Sequence, residues 1–376
     1  MTEHEFTQSI REVLTTHFNK DAEVILEASL LIQYINEKTK SANKGSKARG
    51  SFANLYSIYV IVEDYIQHKF NKSRQGKYSD YEGAIFSNLL KRQRELPFGS
   101  KLQNHSLNNR TNSEFQKFFP TAKQLPIIRD QENNRYWIND NLLWITVGRK
   151  KYNIAQAIIS IIDAYIKTKQ DAFVRFISQC QQMQSLGRND KEGIKNFILS
   201  LLAPNVDARL FEIVSYSILK FYYIEQNIYW GYELENIESE NLKLYKTGRT
   251  NANDGGIDFV MKPLGRFFQV TETLDFKKYF LDIEKIERFP ITFVIKSIDS
   301  VPQIRQKLES DALKTYPVKA IVNRYLGSIE ELINIPILIE YLNVVDTNGL
   351  ILKVLDEIVL QSKVEFNYTT DEDVLY

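Results

Sequence analysis

The sequence predicts a chain of mixed class, α/β or α+β, in two parts. A mainly helical, basic segment spans 1–187, and 188–376 is built on a small mixed central sheet. Three observations carry that expectation. Apolar residues recur at helical spacing through most of the first half. In the second half two short apolar runs flank Pro263-Leu264-Gly265, the signature of a hairpin. Charge is divided too: residues 1–200 hold 29 Lys and Arg against 20 Asp and Glu, a net of +9, whereas 201–376 hold 19 against 27, a net of −8. A basic half beside an acidic half suits a polyanion-binding part joined to a metal-using part, although a chance imbalance over solvated helices would look the same.

Taken in order, Ile10, Val13 and Leu14, then Val24, Ile25, Ala28, Leu31, Ile32 and Ile35, predict two helices between Thr7 and Lys40. Lys40 to Ser51 is a polar loop, and Phe52 to Phe70 an apolar, aromatic helix. Tyr81 to Glu95 predicts a helix stopped by Pro97 and Gly99. A surface loop follows, where Lys101, Gln103, Asn104, His105, Asn108, Asn109, Arg110 and Asn112 stand close together. Asn, Gln and Arg can make two-point contacts to base edges, and Lys and Arg also bind phosphates. These are candidate DNA contacts, though a merely asparagine-rich loop has the same composition. Ile127 to Val147 predicts strands, Ile154 to Lys167 and Ala172 to Met183 two helices, and Gly187 to Asp190 the boundary between the parts. Beyond it come a helix at Arg209 to Glu225, a strand at Tyr229 to Leu234, the hairpin, a helix at Phe276 to Ile286 and a strand at Ile291 to Ile295. The acidic tail from Thr369 is expected to fray.

Composition excludes several classes of function. The single cysteine, Cys180, cannot build a disulfide framework or a thiolate metal site within one chain, which fits a reducing cytoplasm. The N-terminus lacks the character of a signal peptide, and no apolar run reaches the roughly 18 residues of a membrane span. Four scattered histidines, His4, His17, His68 and His105, argue against a zinc enzyme.

The hairpin carries the chemistry. With Leu264 and Gly265 as the two turn residues, Asp258 lies opposite Thr271 and Val260 opposite Gln269. Alternation then puts Asp258, Gln269 and Thr271 on one face, and Ile257, Phe259, Met261, Phe268 and Val270 on the other. A carboxylate and an amide oxygen on neighbouring strands suit a hard cation such as Mg²⁺. An amphipathic hairpin with one wet face would alternate in the same way.

Phe211-Glu212 on the helix upstream, Gly255-Gly256-Ile257-Asp258, Gln269-Val270-Thr271, and the helix and strand beyond resemble the PD-(D/E)XK nuclease superfamily, most closely its Mrr-like and type II restriction endonuclease branches. The resemblance covers roughly Leu210 to Lys296. It implies a restriction-endonuclease-like core with Asp258 as the principal Mg²⁺ ligand, Gln269 as the second, and Glu212 as the glutamate that orients a water. Thr271 departs from the pattern, because the family carries lysine there; Lys277, Lys278 or Lys262 are candidate replacements. Glu272 is turned to the opposite face by the register. The implied activity is Mg²⁺-dependent, site-specific cleavage of double-stranded DNA by a cytoplasmic homodimer, with a cognate DNA methyltransferase in the same system but not as a physical partner. Arg249, Asn251 and Asn253, beside the active site, join the loop at 101–112 as expected DNA contacts. The alternatives are a non-cleaving reader of modified DNA on a nuclease fold, and a structure-specific repair nuclease.

Overall fold

The computed structural model of the chain describes residues 2–40, 42, 48–72, 78–99, 102–247 and 257–366. With 61% helix and 15% strand it is a mixed, α+β chain in which helix dominates. It divides into two compact units, Met1–Phe176 and Ile177–Tyr376, at a point within a helix, upstream of the Gly187–Asp190 boundary that the sequence suggests.

The first unit contains helices α1 (Glu5–Phe18), α2 (Ala22–Ala28), α3 (Leu30–Thr39), α4 (Ala48–Gln67), α5 (Phe86–Glu95) and α6 (Thr111–Phe118), strands β1 (Ala84–Ile85), β2 (Ile127–Asp130), β3 (Arg135–Ile138), β4 (Trp144–Val147) and β5 (Lys150–Asn153), and the start of α7 (Ala155–Leu186). Three helices occupy the stretch where two were expected. Ser29 is extended there, and its hydroxyl accepts from the Ile32 N–H at 3.2 Å to begin α3. The expected loop at 101–112 is instead largely helical: a π-helical turn, Ser106–Arg110, runs straight into α6 and buries Leu107. The two helices expected between Ile154 and Met183 are one, α7. The polar residues from Lys167 to Asp171 include no Gly or Pro that would break it. Tyr34, Phe52, Tyr56, Phe115 and Tyr165 are buried at the heart of this unit.

After α7, the second unit runs through α8 (Lys191–Ser200), α9 (Ala208–Tyr223), β6 (Asn227–Trp230), β7 (Glu238–Asn241), β8 (Lys243–Lys246), β9 (Phe259–Lys262), β10 (Arg266–Thr271), α10 (Phe276–Lys285), β11 (Ile291–Ile295), α11 (Val301–Thr315), α12 (Lys319–Gly327), β12 (Ile329–Ile333), α13 (Ile335–Thr347) and α14 (Ile351–Phe366). The central sheet has the order β12-β11-β10-β9-β8. Strands β8, β9 and β10 pair antiparallel, and β10, β11 and β12 parallel. Every residue of β11 is buried, as a strand covered on both faces requires.

Apolar side chains decide what covers each face. Phe276, Tyr279, Phe280 and Ile283 of α10 pack with Phe293 and with α11 and α12 on one side. On the other, α9 lies against α13 and α14, with the Tyr216 ring 5.2 Å from that of Phe259 and the Tyr223 ring 6.2 Å from that of Phe268. Burying each such aromatic contributes about 1.5–3 kcal/mol. The strand directions bring five ends to one edge of the sheet: Lys246 closes β8, Asp258 precedes β9, Thr271 closes β10, Lys296 follows β11 and Asn334 follows β12. The candidate site lies on that edge.

Candidate active site

The hairpin register differs from the expected one. Met261 pairs with Arg266, Val260 with Phe267 and Phe259 with Phe268, where the ladder ends, a register two residues away from the expected one; extended by one residue it sets Asp258 against Gln269, where Thr271 was expected. Pro263 has no N–H to give a ladder and Gly265 adopts φ +67°, so both belong to the turn. A slip of two residues preserves which side chains share a face, whereas a slip of one would have reversed them. Asp258, Gln269 and Thr271 therefore still share one side. That side is dry: they are 8%, 8% and 3% exposed, which removes the amphipathic hairpin with a wet face.

Each side chain is held by a particular local arrangement. The Asp258 N–H donates to the Phe268 carbonyl at 2.9 Å, and its Oδ2 accepts from the Val270 N–H at 2.7 Å, so the carboxylate brackets Gln269 on the neighbouring strand. Gln269 Nε2 donates to the Val270 carbonyl at 3.3 Å. Its Oε1 is buried with no hydrogen-bond partner among the described residues. Leaving such an acceptor unmatched costs about 1–3 kcal/mol. Burial, then the negative charge of Glu212, pushes the Asp258 carboxyl up to about 8. The Val270 N–H and the ammonium groups of Lys246 and Lys278 pull the other way.

Glu212 stands past the first turn of α9, which Asp207 caps by accepting from the Arg209 N–H at 2.8 Å. Its carboxylate pairs with Lys246 Nζ at 3.0 Å. Of the three candidate replacement lysines, Lys277 is exposed, and Lys262 places its ammonium 5.7 Å from the centre of the Tyr245 ring. Lys278 is half-buried and donates to Thr271 Oγ1 at 3.3 Å. Glu272 pairs with the buried ammonium of Lys296 at 2.8 Å. Lys296 was not singled out from sequence, and Lys246 only as the start of the polar stretch to Asn253 expected to contact DNA. For Lys296 the signal available was a lysine directly at the end of an apolar strand.

Among the described residues no three His, Cys, Asp or Glu side chains converge on a metal site. The residues present nonetheless fit a hard divalent cation. Asp258 offers a carboxylate whose ionised form lacks compensation, and Gln269 an orphaned amide oxygen; both are the oxygen donors that Mg²⁺ prefers.

The expected DNA contacts divide. Arg249, Asn251, Asn253 and Lys101 lie outside the described residues, as does the tail from Thr369. Gln103 is half-buried, and Asn104 and Asn109 are exposed. Asn108 is engaged within its own unit: its Oδ1 accepts from the Tyr136 hydroxyl at 2.7 Å and its carbonyl from Arg129. Arg110 pairs with Glu114 at 2.8 Å, and Asn112 clamps both the N–H and the carbonyl of Ile127. Among the described residues no helix is long and apolar enough to cross a membrane. Comparison of the chain with protein-family models, with characterised proteins and with solved structures gives no match in any of the three.

Proposed function

We propose that the second unit is a Mg²⁺-dependent endonuclease of the PD-(D/E)XK type, cutting double-stranded DNA at a specific sequence as a type II restriction enzyme does. The observation that carries the reading is the Gln269 Oε1, buried with no partner among the described residues, on the strand whose Val270 N–H holds the buried Asp258 carboxylate. Two oxygen donors held dry at a strand edge are costly unless a cation completes them. Supporting it, α9, the β9–β10 hairpin, α10 and β11 follow one another in the order that the resemblance implies, with β10 and β11 parallel.

In hydrolysis, water oxygen bonds to phosphorus as the ester P–O bond breaks; one proton leaves the water and the departing alkoxide takes one up. A bound divalent cation lowers the pKa of water and offsets phosphate charge. The chain's part is to hold and to orient. Asp258 and Gln269 would hold the cation, with Asp258 itself fixed by the Val270 N–H. Glu212, steadied by Lys246, presents a carboxylate able to orient a water near Asp258. The polar segment at 101–112 would add DNA contacts through Asn104 and Asn109, whose side chains are exposed.

The decisive experiment incubates the full chain and its Asp258→Ala and Asp258→Asn variants with unmethylated phage DNA, with Mg²⁺ or EDTA. Discrete fragments that require Mg²⁺ and vanish in both variants are expected. Thr271, in place of lysine, favours one other reading, a protein that binds DNA without cutting it. Intact DNA from the wild type, together with retardation of a DNA probe, would establish that reading instead.

A further inference from the structure

Between the second half of α4, the short strand β1 and α5, the first unit holds a cavity of about 730 Å³ that the nuclease reading leaves unused. Small-molecule sites commonly span about 300–1,000 Å³. The buried side chains of Val60, Ala84 and Leu89 give it an apolar floor, and the rings of His68 and Tyr81, 4.6 Å apart between centres, stand at its side. The charges along it do not balance. Four carboxylates, those of Glu63, Asp64, Asp80 and Glu82, line it against two guanidinium groups, and both of these are engaged. Arg92 makes two hydrogen bonds of 2.8 Å to Glu63, and Arg135 donates to the Gly83 carbonyl at 3.1 Å and lies 3.6 Å from Glu82.

Half-buried Asp64 has no lysine or arginine at ion-pair distance among the described residues. Its Oδ2 accepts from the Tyr81 hydroxyl at 2.8 Å, and His68 Nδ1, 3.6 Å from Oδ1, is closer to the Asp64 main-chain carbonyl, at 2.9 Å. Burial pushes the carboxyl up, against the pull of that hydroxyl and that ring. The Tyr81 side of the cavity is built before any ligand arrives: Trp137 Nε1 donates to the Tyr81 carbonyl at 2.8 Å, and at Gly83, where φ is +88°, an added Cβ would stand 2.5 Å from the Trp137 ring. A half-buried carboxylate gains from a cation brought to it, and aromatic faces attract the same charge. We propose that this cavity binds a small organic cation, an alkylammonium compound whose charged head meets Asp64 and the Tyr81 ring while its apolar body covers Val60, Ala84 and Leu89. The surplus of carboxylates repels a phosphate backbone, so the site is distinct from any DNA-binding surface of the basic half. It lies wholly within the first unit and stands or falls independently of the nuclease reading.

The test titrates the full chain with phenethylammonium, and with 2-phenylethanol and 3-phenylpropionate as neutral and anionic compounds of like shape, by isothermal calorimetry. Phenethylammonium should bind at one site with a Kd of about 1 mM or tighter, the alcohol about tenfold or more weaker, and the carboxylate not at all. In Asp64→Asn the amide oxygen can still accept from the Tyr81 hydroxyl, so the fold is kept while the charge is lost. That variant should bind phenethylammonium about tenfold or more weakly, and Tyr81→Leu about threefold or more weakly. Glu132→Gln, which removes an exposed carboxylate outside the cavity, should bind as the wild type does. No saturable binding of phenethylammonium by the wild type overturns the proposal, as does equal affinity for the alcohol. Wild-type affinity in Asp64→Asn overturns it too, and so does an equal loss in Glu132→Gln, which would mark diffuse attraction to an acidic surface.

Discussion

On the nuclease reading, protonation and cation binding compete for the same oxygen atoms of Asp258. Its carboxyl is pushed up to about 8, far above the value near 3.8 that it has when unfolded, so the folded chain holds that proton more tightly than the unfolded one. Its contribution to stability without metal is fully present below about pH 4 and is lost as pH rises towards 8. A cation must displace the proton, so Mg²⁺ affinity should climb by up to about tenfold per pH unit below 8 and level off above it. Isothermal titration between pH 6 and 9 checks this, and a flat profile would show that Asp258 does not hold the cation. These residues could be picked out from sequence because face assignment depends only on odd or even spacing. Asp258, Gln269 and Thr271 kept their common side although the pairing slid by two. Lys278 could be named only as one of three lysines, because its reach depends on how α10 docks, and no spacing rule contains that. The partners of Asn108 and Arg110 were hidden for the same reason: Tyr136 and Glu114 meet them only after folding.

At the scale of elements, the turn between β9 and β10 decides where the site residues meet. Gly265 is left-handed, and a Cβ added there would meet nothing within 4 Å. Gly265→Ala should therefore cost about 1–2 kcal/mol through backbone strain alone, seen as a lower melting temperature. Cation affinity should be unchanged, since the register on either side is held by its own ladder. A changed affinity would mean that the turn, and not the ladder, sets the pairing. Elements with strong periodicity, such as α9, α10 and β11, matched the sequence closely in type and extent. The misread elements shared a physical cause, local composition that favoured one form while neighbouring contacts imposed another. Polar residues at 167–171 suggested a break that no Gly or Pro enforces, and the asparagine-rich stretch before α6 was wound into a π-helical turn with Leu107 in the core.

For the whole molecule, the two units carry opposite formal charge, and affinity for DNA should reflect it. If the basic half neutralises six or more phosphates, affinity for duplex DNA should fall by about a thousandfold or more between 50 and 200 mM salt. Fluorescence anisotropy across that range tests this, and an insensitive affinity would remove the first unit from the interface. The division of the chain within α7 could not be anticipated, since an unbroken helix carries no local mark of where two cores part. The gathering of five strand ends on a single edge of the central sheet also shapes how such a protein can evolve. Everything that anchors the cores lies along the strands and under the helices, while everything that would touch DNA in the second unit hangs from their tips. On the nuclease reading, loops beyond that rim could lengthen, shorten or exchange residues while the buried strand ends, Asp258, Thr271, Lys296 and Asn334, stay where they are, so that changes of DNA target would come by small steps.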